Sequence, residues 1–167
     1  TFASSAPVIT PPAGSTAAFQ LANASVTLQH LTVVSTNSAQ YGILASSAYV
    51  AMSSISVVDG GTNIWKAGIS ISSWSSLSYS SITVANADAY GLYLPGSFMT
   101  SVSYSTAAHV HESLSGYALY LLSASSNTFT VFLASHTGYF GARLGGDSKY
   151  NTITRSIMDA GGTVYGL

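Results

Sequence analysis

The chain has 167 residues, 47% apolar and only 5% charged, with four Lys+Arg against five Asp+Glu and no cysteine. An ordinary globular chain carries about 25% charge. Four cations cannot build the basic face that phosphate neutralisation needs, which excludes a nucleic-acid binder, and the lack of cysteine excludes a disulfide framework or a thiolate metal site.

The length suffices for one domain with a real core. No apolar run approaches the roughly 20 residues of a membrane-spanning helix. The missing charge is replaced by Ser, Thr, Gly, Asn and Tyr, a composition that fits the cell surface or the extracellular space. The chain begins at Thr1 rather than Met, which reads as a mature or excised segment.

Residues 1–16, "TFASSAPVITPPAGST", hold Pro7, Pro11 and Pro12. Proline cannot donate to a strand ladder, so this stretch is expected to be an irregular cap or linker. Residues 17–167 are expected to form one repeated unit. Asn23-Ala24-Ser25 is a glycan acceptor sequon.

Two markers repeat in phase. The first is a small residue followed by an apolar one: Ala18-Phe19, Gly42-Ile43, Gly68-Ile69, Gly91-Leu92, Ala118-Leu119, Gly141-Ala142 and Gly166-Leu167, in steps of 24, 26, 23, 27, 23 and 25. The residue before it reads Tyr41, Ala67, Tyr90, Tyr117, Phe140 and Tyr165, an aromatic column with one gap. The second marker is an alternating segment that starts at Val26, Val50, Leu77, Thr100, Asn127 and Asn151. Leu28 follows Val26, Met52 follows Val50, and Tyr79 follows Leu77, each two residues on. Period-two alternation and β-branched residues predict strands, and "STNSAQ", "DGGTN" and "SASS" between them are turn compositions. A unit of 23–27 residues cannot bury an apolar face alone, whereas stacked units can. The predicted fold is therefore all-β: a parallel β-solenoid of about six rungs spaced about 4.8 Å apart.

The wording "YG-I/L-x-L", with "NTFT" at 127–130 and "NTIT" at 151–154, resembles right-handed parallel β-helix repeat proteins, the pectate-lyase-like solenoids. It is most similar to their Ser/Tyr-rich bacterial surface versions. The resemblance implies right-handed coiling. That superfamily spans polysaccharide lyases and hydrolases, tailspikes, adhesins and plain spacers, so it leaves function open.

Catalysis on such a scaffold needs converging carboxylates. The acids are Asp59, Asp88, Glu112, Asp147 and Asp159. Asp59 and Asp88 are the candidate pair, one rung apart near equivalent turn positions; the alternative is two solvated turn carboxylates. Arg143, Asp147, Lys149, Arg155 and Asp159 gather charge near the C-terminal end and read as solubility or an end contact. The last residues of the second segments run Ser35, Asp59, Asn86, His109 and His136, which stacks the two imidazoles as weak metal candidates beside His111 and Glu112. No phosphate loop, nucleophile elbow or HExxH is present.

A face is the sharper feature. Positions two and four of each second segment read Thr27/Gln29, Ala51/Ser53, Ser78/Ser80, Ser101/Ser103, Thr128/Thr130 and Thr152/Thr154, and are expected to point outward as an uncharged hydroxyl ladder. It suits packing against a neighbouring subunit, ice binding, or plain solvated surface. Tyr93 and Tyr120, flanked by Ser70 and Arg143, suit contact with a sugar or a protein. "VYGL" at 164–167 opens a seventh rung without a cap, which reads either as a segment cut from a longer solenoid or as an open end covered by another subunit stacked head to tail. The function expected is a non-catalytic structural or adhesive solenoid, a filament or surface-layer subunit that self-associates and uses no cofactor. The alternatives are a carbohydrate-binding or polysaccharide-degrading β-helix and an ice binder.

Overall fold

A computed structural model of the chain describes residues 6–22, 25–46, 49–72, 74–112 and 115–161. The sequon at Asn23 and residues 164–167 lie outside the described residues. The described residues form strands and turns, with no helix.

Two parallel sheets face each other. Numbered along the chain, the long-strand sheet holds β1 (Val8–Ile9), β3 (Ser25–Ser35), β5 (Tyr49–Asp59), β7 (Ser75–Ser78), β8 (Ser81–Val84), β10 (Ser101–His109), β12 (Thr128–His136), β14 (Thr152–Thr154) and β15 (Ile157–Ala160). The short-strand sheet holds β2 (Ser15–Ala22), β4 (Ala39–Ser46), β6 (Ile64–Ile71), β9 (Tyr90–Pro95), β11 (Tyr117–Leu122) and β13 (Ala142–Gly145). The chain alternates between them, and every pairing joins one rung to the next in parallel. This is a parallel β-solenoid of about six turns.

The first marker is a column in the short-strand sheet. Phe19, Ile43, Ile69, Leu92, Leu119 and Ala142 pair in that order. Its small residue has a packing cause. A Cβ on Gly42 would lie 2.6 Å from Val57 Cγ1, and one on Gly68 would lie 2.4 Å from Ile82 Cγ2. Val57 and Ile82 belong to the core column of the opposite sheet, with Val33, Ala107, Ala134 and Met158. The two sheets thus press together at the glycine. A second core column of the long sheet runs Leu28, Met52, Leu77, Val102, Phe129 and Ile153.

Register corrects the second marker in rung three. Val50 pairs with Ser75, so the column runs Val26, Val50, Ser75, Thr100, Asn127 and Asn151, and Leu77 sits two residues further along. The polar members bond upward. Asn127 Oδ1 accepts from the Thr100 N–H at 2.9 Å, and Asn151 Oδ1 accepts from the Asn127 N–H at 3.0 Å. Their amides donate to Ser97 O at 3.2 Å and Ala124 O at 2.8 Å. "NTFT" and "NTIT" are therefore alike because each asparagine satisfies backbone groups at the same buried corner.

The long strands also bend at one place in each rung. His30, Ser54, Tyr79, Tyr104, Val131 and Arg155 all have φ between 47° and 55° and stand one above another. Bulky side chains rarely adopt this left-handed conformation. The residue after the bend repairs the ladder: Ser80 Oγ accepts from the Ile55 N–H at 3.1 Å and donates to Ser78 O at 2.8 Å. Ser105 and Ser156 do the same for Ser80 and Phe132.

The proline-rich start is less irregular than expected. Val8 and Ile9 pair with Thr32 and Val33, and β2 begins at Ser15. Pro7 lacks a donor but its carbonyl accepts from the Thr32 N–H at 2.9 Å, so it leads into the ladder without breaking it.

Candidate functional site

The outward face of the long-strand sheet lies between two rails. Its two rows, hydroxyls except at Ala51 and Gln29, are Thr27, Ala51, Ser76, Ser101, Thr128, Thr152 and Gln29, Ser53, Ser78, Ser103, Thr130, Thr154. All are exposed or half-buried. The third rung supplies Ser76 and Ser78, not Ser78 and Ser80. Ser80 is buried because the bend at Tyr79 resets the alternation and turns the next side chain inward.

One rail is the corner column Tyr49, Trp74, Met99, Ser126 and Tyr150, whose large members are exposed. Phe98 adds to it, with its ring centroid 6.0 Å from that of Trp74. The other rail is the bend column, where the exposed Tyr79 and Tyr104 rings stack at 5.1 Å with an interplanar angle of 5°. Beyond it runs an apolar groove of about 330 Å³ over three rungs, lined by Tyr104, Val131, Phe132, Leu133, Arg155 and Ile157. Composition cannot separate outward from inward aromatics, so these rails were not legible; Tyr79 in particular was expected to alternate inward with Leu77.

The short-strand sheet carries a tyrosine platform. Ser70, Tyr93, Tyr120 and Arg143 form one column, as expected, and Ala67, Tyr90 and Tyr117 the neighbouring one. Tyr93 and Tyr120 stack at 5.5 Å and 19°. Tyr90 lies 5.1 Å from Tyr93 and 5.0 Å from Tyr120. The Arg143 guanidinium caps the group, 5.3 Å above Tyr117 and 5.4 Å above Tyr120, and donates to the Tyr117 hydroxyl at 2.8 Å. Burial, then the neighbouring phenols, raises the pKa of Tyr90 and Tyr93, and the bond to Tyr117 raises that of Arg143.

His109 and His136 do stack, at 4.3 Å and 16°. Their column holds Val84 where Asn86 was expected. Asn86 instead offers its carbonyl to His109 Nε2 at 2.9 Å. His136 Nδ1 accepts from the Gly138 and Tyr139 N–H groups at 2.9 and 2.8 Å, so its proton sits on Nε2. Burial, then His109, holds the His136 pKa down to about 4, and burial also lowers His109. Among the described residues no group of three or more His, Asp or Glu converges as a metal shell.

Asp59 is nearly buried and has both oxygens engaged by backbone: Oδ1 by the Asn63 N–H at 2.8 Å and Oδ2 by the Ala85 N–H at 3.1 Å. It closes a turn. Asp88 is exposed and sits inside the next one, which Asn86 opens, its N–H donating to Asn86 Oδ1 at 3.2 Å. Asp147 pairs with Lys149 at 3.8 Å in solvent.

No protein-family model matches this chain, and no curated protein or solved structure is significantly similar to it. Fold and surface together define the class, a parallel β-solenoid.

Proposed function

We propose that this chain is a non-catalytic structural or adhesive solenoid of the cell surface or extracellular space, a filament or surface-layer subunit that meets its neighbours through the long-strand face. One observation carries this reading: two rows of uncharged side chains, hydroxyls except at Ala51 and Gln29, run along the solenoid between rails of exposed Tyr49, Trp74, Met99 and Tyr150 on one side and Tyr79 and Tyr104 on the other. Contiguous exposed apolar surface beside polar groups is a common sign of an interaction site. Small hydroxyls let a second surface approach closely, and the low charge adds little repulsion. The wording shared with pectate-lyase-like repeats, above all their Ser/Tyr-rich surface versions, is in keeping with such a role. The backbone bonds that occupy both oxygens of Asp59 weigh against its service in a catalytic pair.

A second reading, polysaccharide binding, is favoured by the Tyr93–Tyr120 platform under Arg143. Electron microscopy of the purified chain, with and without Ser101→Glu and Ser103→Glu, separates them. Fibres or lateral bundles that disperse in the double variant support the adhesive reading. A fibre repeat of about 30 Å, six or seven rungs at the parallel spacing, adds head-to-tail stacking. Discrete particles unaffected by the two glutamates overturn it, and a glycan panel then tests whether binding depends on Arg143.

A further inference from the structure

From the exposed stack at the strand bend we infer that Tyr79 and Tyr104 are a coupling site for oxidative dityrosine formation, a covalent staple between two neighbouring rungs. The two rings lie parallel, 5.1 Å apart at an interplanar angle of 5°, and expose 64% and 54% of their residues' surface. Both residues sit at the bend with φ of 49° and 47°, so both side chains project alike. The Tyr79 N–H donates to Ser103 O at 3.2 Å and fixes the offset between the rungs. Nothing in the backbone asks for tyrosine here, because the same column holds His30, Ser54, Val131 and Arg155 elsewhere.

The chemistry needs exposure and proximity together. A haem peroxidase charged with hydrogen peroxide takes one electron and one phenolic proton from each ring. The two phenoxyl radicals share spin with the ring carbons ortho to oxygen, and one new C–C bond joins those carbons. The ortho hydrogens then pass through solvent to the phenolic oxygens and restore both hydroxyls. The protein loses two hydrogens, and the peroxide becomes two waters. Holding the partners side by side makes the coupling intramolecular, which favours it over collision between chains.

The other tyrosines are less suited. Tyr93 and Tyr120 stack at 5.5 Å but are hemmed in by Tyr90, Tyr117 and the Arg143 guanidinium. Tyr49 and Tyr150 are exposed but have no ring neighbour among the described residues, so they can couple only between molecules.

The test oxidises the dilute chain with hydrogen peroxide and a haem peroxidase, then reads dityrosine fluorescence, intact mass and gel mobility. The expected product is a monomer lighter by two hydrogens and fluorescent as dityrosine. Tyr79→Phe and Tyr104→Phe keep the ring and the stack but cannot form a phenoxyl. Each is expected to return the monomer's fluorescence to that of the unoxidised chain with an unchanged circular-dichroism spectrum, whereas Tyr93→Phe leaves it intact. Full monomer signal in Tyr79→Phe, its loss in Tyr93→Phe, or dityrosine confined to covalent dimers overturns the assignment. The inference stands independently of the adhesive reading.

Discussion

Acid should loosen this solenoid through His136. The ring is buried, with 2% of the residue exposed, and its Nδ1 is committed to two backbone N–H groups. Protonation at Nδ1 breaks both bonds and places a charge against His109, 4.3 Å away. The folded pKa is about 4 against an ordinary 6.5. The folded chain therefore binds fewer protons than the unfolded one between these values. Stability is complete above pH 6.5, declines as pH falls, and stops declining from this source below about pH 4. Each pKa unit is worth about 1.4 kcal/mol, so the whole loss is at most about 3.5 kcal/mol. His136→Asn is the informative variant, since Oδ1 can accept the same turn N–H groups but does not titrate. It should be weaker at neutral pH for want of the ring stack, yet lose clearly less on going to pH 4; His109 supplies the remaining slope. Guanidinium midpoints followed by circular dichroism at several pH values make the comparison. Parallel pH curves for wild type and variant would refute the argument.

Three further outcomes follow from packing and register. Ser80→Ala should cost about 1–3 kcal/mol, because it strips the Ile55 N–H of its acceptor, whereas Ser76→Ala on the outward row should stay within about 0.5 kcal/mol. Equal effects in denaturant titrations would show that the third rung is misaligned. Asn127→Ala should cost about 1–3 kcal/mol, since it takes the Asn127 Oδ1 acceptor from the buried Thr100 N–H while Ser97 O keeps its bond from the Ser125 N–H, and Thr128→Ala beside it should be nearly neutral by the same measurement. Gly68→Ala should destabilise by about 1–3 kcal/mol or more through the clash with Ile82, seen as a lowered melting temperature.

The rung length, the parallel stacking and the core of the short-strand sheet could be read from the chain because the small-apolar marker recurs wherever the backbone is crowded, by the opposite sheet at Gly42 and Gly68 and by the next rung's carbonyl at Gly42 and Gly91. The pairing of His109 with His136, and of Tyr93 with Tyr120, followed from the same phase. What failed was parity across the bend. Leu77 and Tyr79 look like two members of one alternating strand, but Tyr79 turns the chain left-handed, and Leu77 faces the core while Tyr79 faces water. Such a turn is usually announced by Gly or Asn. Here the column holds His, Ser, Tyr, Val and Arg, and the only local trace is the serine that follows at 80, 105 and 156. The exposed rails were hidden for a related reason, since Trp74 and Tyr79 would fit a core equally well by composition.

The bend column has a consequence for how such a molecule can change. Each rung sets one side chain on a line parallel to the long axis, at intervals of about 4.8 Å. The serine behind it, or an apolar residue such as Leu31 or Phe132, carries the structural duty. The identity of the projecting residue is thus decoupled from the packing of the interior, though not from the backbone cost of a positive φ. Ring, aliphatic or guanidinium can be exchanged there without repacking the interior, so the line behaves as a row of interchangeable type set into a fixed frame.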